Sequence, residues 1–513
     1  MGNISKVFSA ELEGINAKLI EVETDINTGI HSFTIVGLAD KALNEAKERV
    51  NSALKNIGVK APNRENRKIV INLAPADIKK TGSQYDLAIA IGYLLATKQI
   101  KEFNASGKIF VGELSLEGNL RPIFGALNIA HMAKVLGLKE IFVPAENAKE
   151  ASIIDGIKVY SIKNLKMLMD HLENKKVLSP ENPGQVDFNK KRTNSINIGD
   201  IKGQEHAKQA LIISAAGCHN ILMVGSPGTG KTMLAESLTS ILPNPKTDEV
   251  IEITKIYSAA GFLGNSSLIE TRPFRSPHQT ASAAAVMGGG QNPKPGEISL
   301  AHRGVLFLDE LPEFRRDVLE SLRQPIETGR AIVSRAKTTL EFPAKFIFVA
   351  AMNPCPCGFY GDDEKSCECS AYEVIKYQKK LSGPLLDRID MQINIPRIKY
   401  DELIKKTSTS EIETEKIKEK VALAREIQEQ RLRPLGKLTN SEMSSKECDE
   451  LINLNNEAKT ILKSTLEKSV ISPRTYYRIL KVSQTIADLK KETTVTAEHI
   501  SSAFNLRIRE AKN

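Results

Sequence analysis

The sequence GSPGTGKT at residues 225–232 predicts a phosphate-binding loop, because it follows the pattern G-x-x-x-x-G-K-[ST]. The apolar run 221–224 predicts a buried parallel strand before it, and residues 233–238 predict a helix after it. The glycines let backbone N–H groups turn toward a phosphate, and the helix N-terminus adds a partial positive charge. We expect Lys231 to reach the β and γ phosphates and Thr232 to hold Mg²⁺. This context favours a nucleotide-binding α/β core over an ordinary glycine-rich turn.

A second apolar run, VLFLDE at residues 305–310, ends in two acids. Alone, such a run is often a strand followed by a surface turn. After a phosphate-binding loop it predicts that Asp309 holds the Mg²⁺ shell and that Glu310 polarises the attacking water. Asn353 ends a further strand at residues 345–353 and is expected to help Glu310 position that water. The predicted nucleotide ligands are Gly225, Ser226, Pro227, Gly228, Thr229, Gly230, Lys231, Thr232 and Asp309.

Length and composition describe a globular protein of two to four domains: 513 residues, 41% hydrophobic and 26% charged. The sequence contains no run of 18 apolar residues, so it predicts no membrane span. The N-terminus lacks an apolar segment of the signal-peptide type. We therefore expect a cytoplasmic protein that makes no contact with a membrane. The net charge of +9 permits contact with nucleic acid, although a modest basic excess often serves solubility alone.

Residues 1–174 predict a mixed α/β domain with a short sheet. Two strands are expected at 19–24 and 31–37, paired with each other through a turn at 25–29. Apolar periodicity predicts helices at 40–54, 85–96 and 123–136, and further strands at 68–73, 109–114 and 140–144.

The end of this block, GELSLEGNLRPIFGALNIAHMAKVLGLKEIFVPAENAKE at residues 112–150, resembles a Lon-protease-type domain of the ribosomal-S5-like class. Lon proteases use a serine–lysine dyad. Here Gln84 stands at the serine position, Leu127 stands at the lysine position, and Ser83 is one residue away. The resemblance therefore implies a Lon-like domain without peptidase activity.

Prolines, a glycine and scattered charge mark residues 175–197 as a linker. An ATPase core is expected from 198 to 397, and the helical periodicity of 398–513 predicts an α-helical lid. The segment Ile201-Lys202-Gly203-Gln204 is similar to the one that borders adenine in AAA+ ATPases, although it also reads as a simple helix start.

Two basic segments are candidates for contact with DNA. Arg272, Arg275 and His278 lie in a loop rich in Gly and Pro that resembles the helix-2 insert of magnesium-chelatase-like AAA+ proteins. Arg335 and Lys337 lie at the turn of a hairpin predicted over 330–342, similar to the pre-sensor hairpin of ring helicases, and suit phosphate contacts. A solvated insertion and a solvated hairpin tip are the alternatives.

Four of the six cysteines lie within fifteen residues, as two Cys-x-Cys pairs: Cys355 with Cys357, and Cys367 with Cys369. Such pairs can close a tetrahedral sulfur site for Zn²⁺, though the spacing is tighter than the common Cys-x-x-Cys form. Reduced free thiols and redox chemistry remain alternatives, while Cys218 and Cys448 are expected in the core.

The sequence LSGPLLDRID at 381–390 resembles the LLDRF segment of magnesium chelatases, in which the arginine reaches the γ-phosphate of a neighbouring subunit. The resemblance makes Arg388 the arginine finger and Arg474, at a helix start after Pro473, the second sensor arginine. A finger that acts on a neighbour implies an assembly, and an ordinary surface pair with Asp387 is the alternative for Arg388.

Together with RPFRSPH and AMNPCPCG, these motifs identify the chain as similar, along nearly all its length, to the YifB/ComM family of magnesium-chelatase-like AAA+ ATPases. The resemblance implies a homohexameric ring that hydrolyses ATP with Mg²⁺ and acts on single-stranded or branched DNA, as a branch-migration helicase in the recombination of imported DNA during natural transformation. A chelatase-type metal-insertion motor and a protein-remodelling machine remain alternatives.

Overall fold

The computed structural model describes residues 3–38, 40–64, 66–184, 196–264, 266–290, 293–334, 339–362, 364–398, 410–468 and 472–507. The chain forms two compact units, Met1–Asp187 with Val250–Ile269, and Phe188–Glu249 with Glu270–Asn513. Residues 250–269, predicted within the ATPase core, pack with the first unit. Val250 and Leu268 are buried in the apolar core of the first unit, and the side chain of Asn128 donates a hydrogen bond of 3.2 Å to the carbonyl of Lys255.

In the first unit, strands Asn16–Thr28 and Arg67–Ala74 alternate buried and partly exposed residues, as in sheets that bury one face. In the second unit, strands Val305–Leu308 and Ile347–Met352 are short and apolar. The strands in the described residues are β1 (Asn3–Glu13), β2 (Asn16–Thr28), β3 (Ser32–Val36), β4 (Arg67–Ala74), β5 (Lys108–Phe110), β6 (Glu113–Leu114), β7 (Leu120–Arg121), β8 (Glu140–Pro144), β9 (Lys158–Ile162), β10 (Ile221–Val224), β11 (Phe274–Arg275), β12 (Gly288–Gly289), β13 (Lys294–Pro295), β14 (Val305–Leu308), β15 (Arg330–Ser334), β16 (Thr339–Pro343), β17 (Ile347–Met352) and β18 (Met391–Asn394).

Helices lie between the strands and fill the C-terminal quarter. In the described residues they are α1 (Lys41–Asn56), α2 (Asp86–Ala96), α3 (Ala126–Val135), α4 (Ala145–Ala151), α5 (Leu165–Leu172), α6 (Glu205–Gly217), α7 (Lys231–Ile241), α8 (Thr247–Ala260), α9 (Ala283–Met287), α10 (Glu297–Leu300), α11 (Arg316–Ser321), α12 (Arg323–Thr328), α13 (Ala371–Gln378), α14 (Gly383–Leu386), α15 (Ser410–Leu432), α16 (Ser445–Leu451), α17 (Asn456–Lys468), α18 (Pro473–Lys490) and α19 (Ala497–Asn505). None of these described helices is both long and apolar enough to cross a bilayer.

The first unit contains a four-stranded sheet in the order β1-β2-β4-β3. The predicted pairing of β2 with β3 was therefore wrong, since β4 lies between them, antiparallel to β2 and parallel to β3. Strand β1 was also missed. The predicted helices are present: Asp40 caps α1 through a 2.8 Å hydrogen bond to the N–H of Leu43. Helix α2 is almost wholly buried, as its apolar sequence requires.

The residues at the predicted protease positions of this unit have structural partners. The side chain of Gln84 donates a 3.0 Å hydrogen bond to the carboxylate of Glu11, and the hydroxyl of Ser83 donates to Glu113. Leu127 is fully buried. The absence of a peptidase dyad and the resemblance to Lon both stay predictions.

The second unit is built on a parallel five-stranded sheet in the order β11-β14-β17-β10-β18. Its central strands are apolar on both faces, as expected for a parallel sheet covered by helices. In such sheets ligands bind beyond the carboxyl ends of the strands. The phosphate loop follows β10, Asp309 follows β14, and Asn353 follows β17, so all three lie at that edge.

The predicted basic hairpin and C-terminal helices are also present. Strands β15 and β16 pair antiparallel from Arg330 opposite Pro343 to Ser334 opposite Thr339. The predicted tip residues Arg335 and Lys337 lie outside the described residues. Helices α15 to α19 occupy the predicted helical segment, whose beginning at 399–409 is likewise outside them.

Candidate ATPase site

The phosphate loop leaves the end of β10 and enters α7. Gly228 and Gly230 adopt φ angles of +80° and +83°, a region that favours glycine, and Gly230 is the N-terminal cap of α7. The hydroxyl of Thr229 donates a 2.9 Å hydrogen bond to the carbonyl of Ser226, which closes the loop internally. The loop therefore presents backbone N–H groups at a helix N-terminus, the arrangement that binds phosphate.

Lys231 joins the phosphate loop to the end of β17. Its ammonium group donates to the carbonyls of Gly225 at 2.7 Å and Ser226 at 2.9 Å, and to Oδ1 of Asn353 at 3.2 Å. Burial lowers the pKa of Lys231, while the carboxylates of Asp309 and Glu310 oppose that shift. A weakly solvated ammonium group between carbonyl oxygens and a sensor amide is suited to bind a phosphate.

Thr232 and Asp309 form a pair at the same edge. The hydroxyl of Thr232 donates a 2.9 Å hydrogen bond to Oδ2 of Asp309. A hydroxyl and a carboxylate are hard oxygen ligands, which suit Mg²⁺ together with substrate phosphates and water. The donor set thus fits Mg²⁺, and Thr232 and Asp309 are the residues that would hold it. When bound, this ion would neutralise charge on the phosphates.

Glu310 has an uncommon backbone conformation. Its φ angle is +49°, and its N–H donates a 2.9 Å hydrogen bond to Oδ1 of Asp309. A non-glycine residue in this region costs of order 1 kcal/mol and is found mainly where function requires it. The conformation turns the chain at the end of β14 and leaves the Glu310 side chain exposed beside the site.

A cavity of about 210 Å³ lies beside the phosphate loop. It includes the predicted adenine segment, and the side chain of Gln204 donates a 2.6 Å hydrogen bond to the carbonyl of Pro396 at its margin. Ile398 was not predicted as a lining residue, because its position in the cavity depends on the path of the chain after β18 and not on a local motif. The lining residues are Asp200, Ile201, Lys202, Gln204, Thr229, Gly230, Met233, Leu234 and Ile398.

Arg388 and Arg474 meet at one carboxylate, that of Glu327. Arg388 forms an ion pair with it, and Nη2 of Arg474 lies 4.0 Å from it. The carbonyl of Arg388 accepts a 3.3 Å hydrogen bond from the side chain of Asn220, the residue before β10. Both arginines therefore lie near the beginning of β10, whereas the phosphate loop follows its end. The sequence alone gave no signal for Glu327.

Two of the predicted DNA-binding arginines are engaged inside the second unit. The guanidinium of Arg272 binds both carboxylate oxygens of Glu249 at 2.7 and 3.2 Å and the carbonyls of Pro243 and Arg303, and its side chain is 8% exposed. Arg272 is a structural residue, so its assignment to DNA is corrected. Arg275 is held by Glu297 at 2.6 and 2.7 Å. His278 is exposed and its Nδ1 lies 2.9 Å from the hydroxyl of Thr280.

The four clustered cysteines lie together directly after Asn353. Cys355, Cys357, Cys367 and Cys369 place their sulfur atoms within 4.8 Å of one another, and none forms a disulfide. Cys448 is buried and Cys218 is half-buried, near the core positions predicted for them. The cluster therefore lies beside the ATPase site rather than apart from it.

Protein-family profiles match nearly the whole chain. A profile described as magnesium chelatase, subunit ChlI, matches residues 197–403, and one for its C-terminal part matches 411–507. A third, described as subunit ChlI of Mg-chelatase, matches residues 22–147. The competence protein ComM of Haemophilus influenzae is 41% identical over 98% of this chain and 97% of its own length. The chain belongs to the ComM/YifB family of magnesium-chelatase-like AAA+ proteins.

Two other relatives differ in how similar they are to this chain and in how much of it they match. YifB of Escherichia coli is 40% identical over 98% of this chain and 97% of its own length. The magnesium-chelatase 38 kDa subunit of Cereibacter sphaeroides is 25% identical and aligns with 30% of this chain and 51% of its own length. Membership of this AAA+ family implies the use of ATP and Mg²⁺, which agrees with the donors around Lys231, Thr232 and Asp309.

Proposed function

We propose that this chain is a cytoplasmic, ATP-driven homohexameric ring motor that acts on DNA, as a branch-migration helicase in recombination during natural transformation. The main support for a role on DNA is the 41% identity to the competence protein ComM across 98% of the chain. The net charge of +9 and the hairpin β15–β16 agree with it. Arg272, now assigned to an internal ion pair, does not support it.

ATP hydrolysis follows from the arrangement at the edge of the parallel sheet. Backbone N–H groups of 225–232 and the Lys231 ammonium group bind the phosphates. Glu310 orients and polarises the attacking water, and Asn353 holds that water through its side-chain amide while its Oδ1 contacts Lys231. These residues supply positioning and electrostatic stabilisation, the two terms that dominate phosphoryl transfer.

The position of Arg388 supports completion of the site by a neighbouring subunit. Four residues of β10 separate Asn220, which holds the Arg388 carbonyl, from the start of the phosphate loop. That strand spans about 13 Å. Arg388 serves the phosphate loop of a second copy, and Glu327 pairs with it within its own chain. Arg474, whose Nη2 lies 4.0 Å from the same carboxylate, is the second sensor arginine of the lid.

The experiment that tests the DNA role measures ATP hydrolysis by the purified protein alone and with single-stranded DNA, duplex DNA or a four-way junction. We expect strong stimulation by single-stranded or branched DNA, and its loss in Lys231→Ala. Fluorescently labelled junctions measure branch migration in parallel. A rate that no DNA alters, together with intact junctions, would remove the helicase assignment and leave the ATPase in place.

A chelatase-type or protein-remodelling ATPase without a DNA substrate is the second candidate. One observation favours it, since the matching family profiles are described by a magnesium chelatase subunit. The chain nevertheless aligns with only 51% of the curated Cereibacter subunit. Stimulation of ATP hydrolysis by porphyrin-binding partner subunits, or by unfolded protein, in place of DNA would support this candidate.

A further inference from the structure

We propose that Cys355, Cys357, Cys367 and Cys369 bind one structural Zn²⁺ ion, and that this ion holds Gly358 against the phosphate loop. The proposal adds a metal site to the ATPase and links it to nucleotide affinity. It depends on the geometry of the sulfur atoms and on the contact between the cysteine segment and Pro227.

The sulfur separations fit a single tetrahedral ion. Cys355 Sγ lies 3.3 Å from Cys357 Sγ and 3.7 Å from Cys367 Sγ, and Cys357 Sγ lies 3.5 Å from Cys367 Sγ. Four thiolates around Zn²⁺ at about 2.3 Å lie about 3.8 Å apart. A disulfide would require about 2.05 Å. A multi-iron cluster would force its sulfur ligands further apart, so the group fits one ion.

Backbone N–H groups complete the surroundings of two sulfurs. The N–H of Tyr360 lies 3.3 Å from Cys355 Sγ, and the N–H of Cys357 lies 3.4 Å from Cys369 Sγ. Such donors stabilise thiolate charge and fix ligand orientation, as outer-shell contacts do in metal sites. Tetrahedral sulfur ligation selects Zn²⁺ or iron among the common metals, and a site with no open position suits a structural ion.

The cysteine segment contacts the phosphate loop through Gly358. This residue has a φ angle of +86°, and a Cβ placed on it would lie 2.6 Å from Cδ of Pro227. The backbone between the two cysteine pairs is therefore packed directly against the phosphate loop. Any movement of this backbone, including one caused by loss of the ion, would displace that contact.

A second contact anchors the cysteine segment through Asp362. Nε of Arg397 donates a 2.8 Å hydrogen bond to the Asp362 carboxylate. The Asp362 side chain is only 2% exposed. Since Asp362 lies between the two cysteine pairs, closing the pairs around one ion restricts its position and hence that of Arg397.

Metal analysis of the full-length protein, purified without chelators, tests the site itself. We expect about one zinc per chain, retained in Cys218→Ser and lost in Cys357→Ser and Cys369→Ser. Zinc release from the wild-type protein by a thiol-modifying mercurial, followed with a chromogenic chelator, gives the same stoichiometry even if the variants misfold. A zinc-free protein with four freely reactive thiols would overturn the proposal, and iron at that stoichiometry would overturn the choice of metal.

The effect of the cysteine segment on nucleotide binding is tested by KM for ATP in variants that retain the metal. Gly358→Ala is expected to keep zinc and to raise KM for ATP about fivefold, because its added Cβ would clash with Pro227 of the phosphate loop. Gly361→Ala is the matched control, since Gly361 also has positive φ (+76°) but no atom within 4 Å of its added Cβ. Equal KM values in the two variants would overturn the coupling while leaving the metal site to the zinc analysis.

Discussion

The carbonyl oxygen of Arg388 accepts a 3.3 Å hydrogen bond from the side-chain amide of Asn220. Asn220 immediately precedes β10, and the phosphate loop immediately follows it. The hydrogen bond therefore fixes Arg388 at the end of the strand opposite to the phosphate-binding residues of the same chain. We therefore expect that each ATPase site takes its phosphate loop from one chain and its arginine finger from another.

Arg388→Ala is expected to lower the rate of ATP hydrolysis about 10³-fold while leaving ATP binding nearly unchanged, because arginine fingers act on charge that develops in the transition state. Steady-state ATPase assays and binding of a fluorescent ATP analogue measure the two quantities. Arg315→Ala is the matched control, since Arg315 is an exposed arginine paired with Asp317. Hydrolysis that survives Arg388→Ala would remove the finger assignment.

Asp309→Asn is expected to raise the Mg²⁺ concentration needed for half-maximal ATPase activity at least tenfold, because it removes a carboxylate from the ion's binding position. The Thr232–Asp309 hydrogen bond survives, since an amide oxygen also accepts. Titration of activity with Mg²⁺ at fixed ATP provides the measurement. An unaltered Mg²⁺ requirement would contradict the assignment of Asp309.

Arg272→Ala is expected to destabilise the second unit by about 3 kcal/mol, because it removes both hydrogen bonds of Arg272 from the largely buried Glu249 carboxylate and leaves it Arg303 at 3.9 Å. Arg275→Ala should cost about 1 kcal/mol or less, since that pair is more exposed. Denaturant unfolding measures both costs. We also expect Arg272→Ala to leave DNA affinity unchanged, and a selective loss of DNA binding in a normally stable variant would restore Arg272 as a DNA contact.

Glu11 predicts a pH dependence of stability in the first unit. Burial raises the pKa of Glu11 from 4.5 to about 7, against the hydrogen bonds donated by Tyr85 and Thr81. The folded state thus holds a proton that the unfolded state releases near pH 4.5. The corresponding stability is present below pH 4.5 and is lost as pH rises through 7, a change of about 3 kcal/mol.

Glu11→Gln should flatten this dependence, because glutamine keeps a neutral acceptor for Tyr85 at every pH. Thermal unfolding of the first unit between pH 4.5 and 8, compared with the wild type, gives the measurement. The same slope in both proteins would show that Glu11 does not titrate in this window.

The nucleotide site could be predicted from sequence because its parts are local. Residues 225–232 fix the loop, and each of Asp309 and Asn353 ends an apolar strand. Parallel pairing then brings the ends of these strands to one edge, so the contacts of Lys231 with Asn353 and of Thr232 with Asp309 follow from the expected topology. The cysteine cluster was predictable from its dense spacing for the same reason.

Contacts between distant segments could not be predicted. Nothing local indicates that β4 lies between β2 and β3, since strand alternation gives the buried face but not the neighbour. Arg272 resembled a free cation because its partner Glu249 lies on α8, 23 residues earlier. Glu327 and Asp362 carry no motif, and their roles arise from ion pairs with Arg388 and Arg397.

The most direct test of a shared ATPase site is complementation between two inactive variants. Lys231→Ala and Arg388→Ala chains, each with a different affinity tag, would be produced in the same cells and doubly purified, so that every assembly contains both. A Lys231→Ala chain can still supply its own Arg388 to the site formed by the intact phosphate loop of its Arg388→Ala neighbour. We predict ATP hydrolysis by the mixed assemblies well above that of either variant alone. Mixed assemblies as inactive as the separate variants would contradict the account, and so would an Arg388→Ala protein that is fully active by itself.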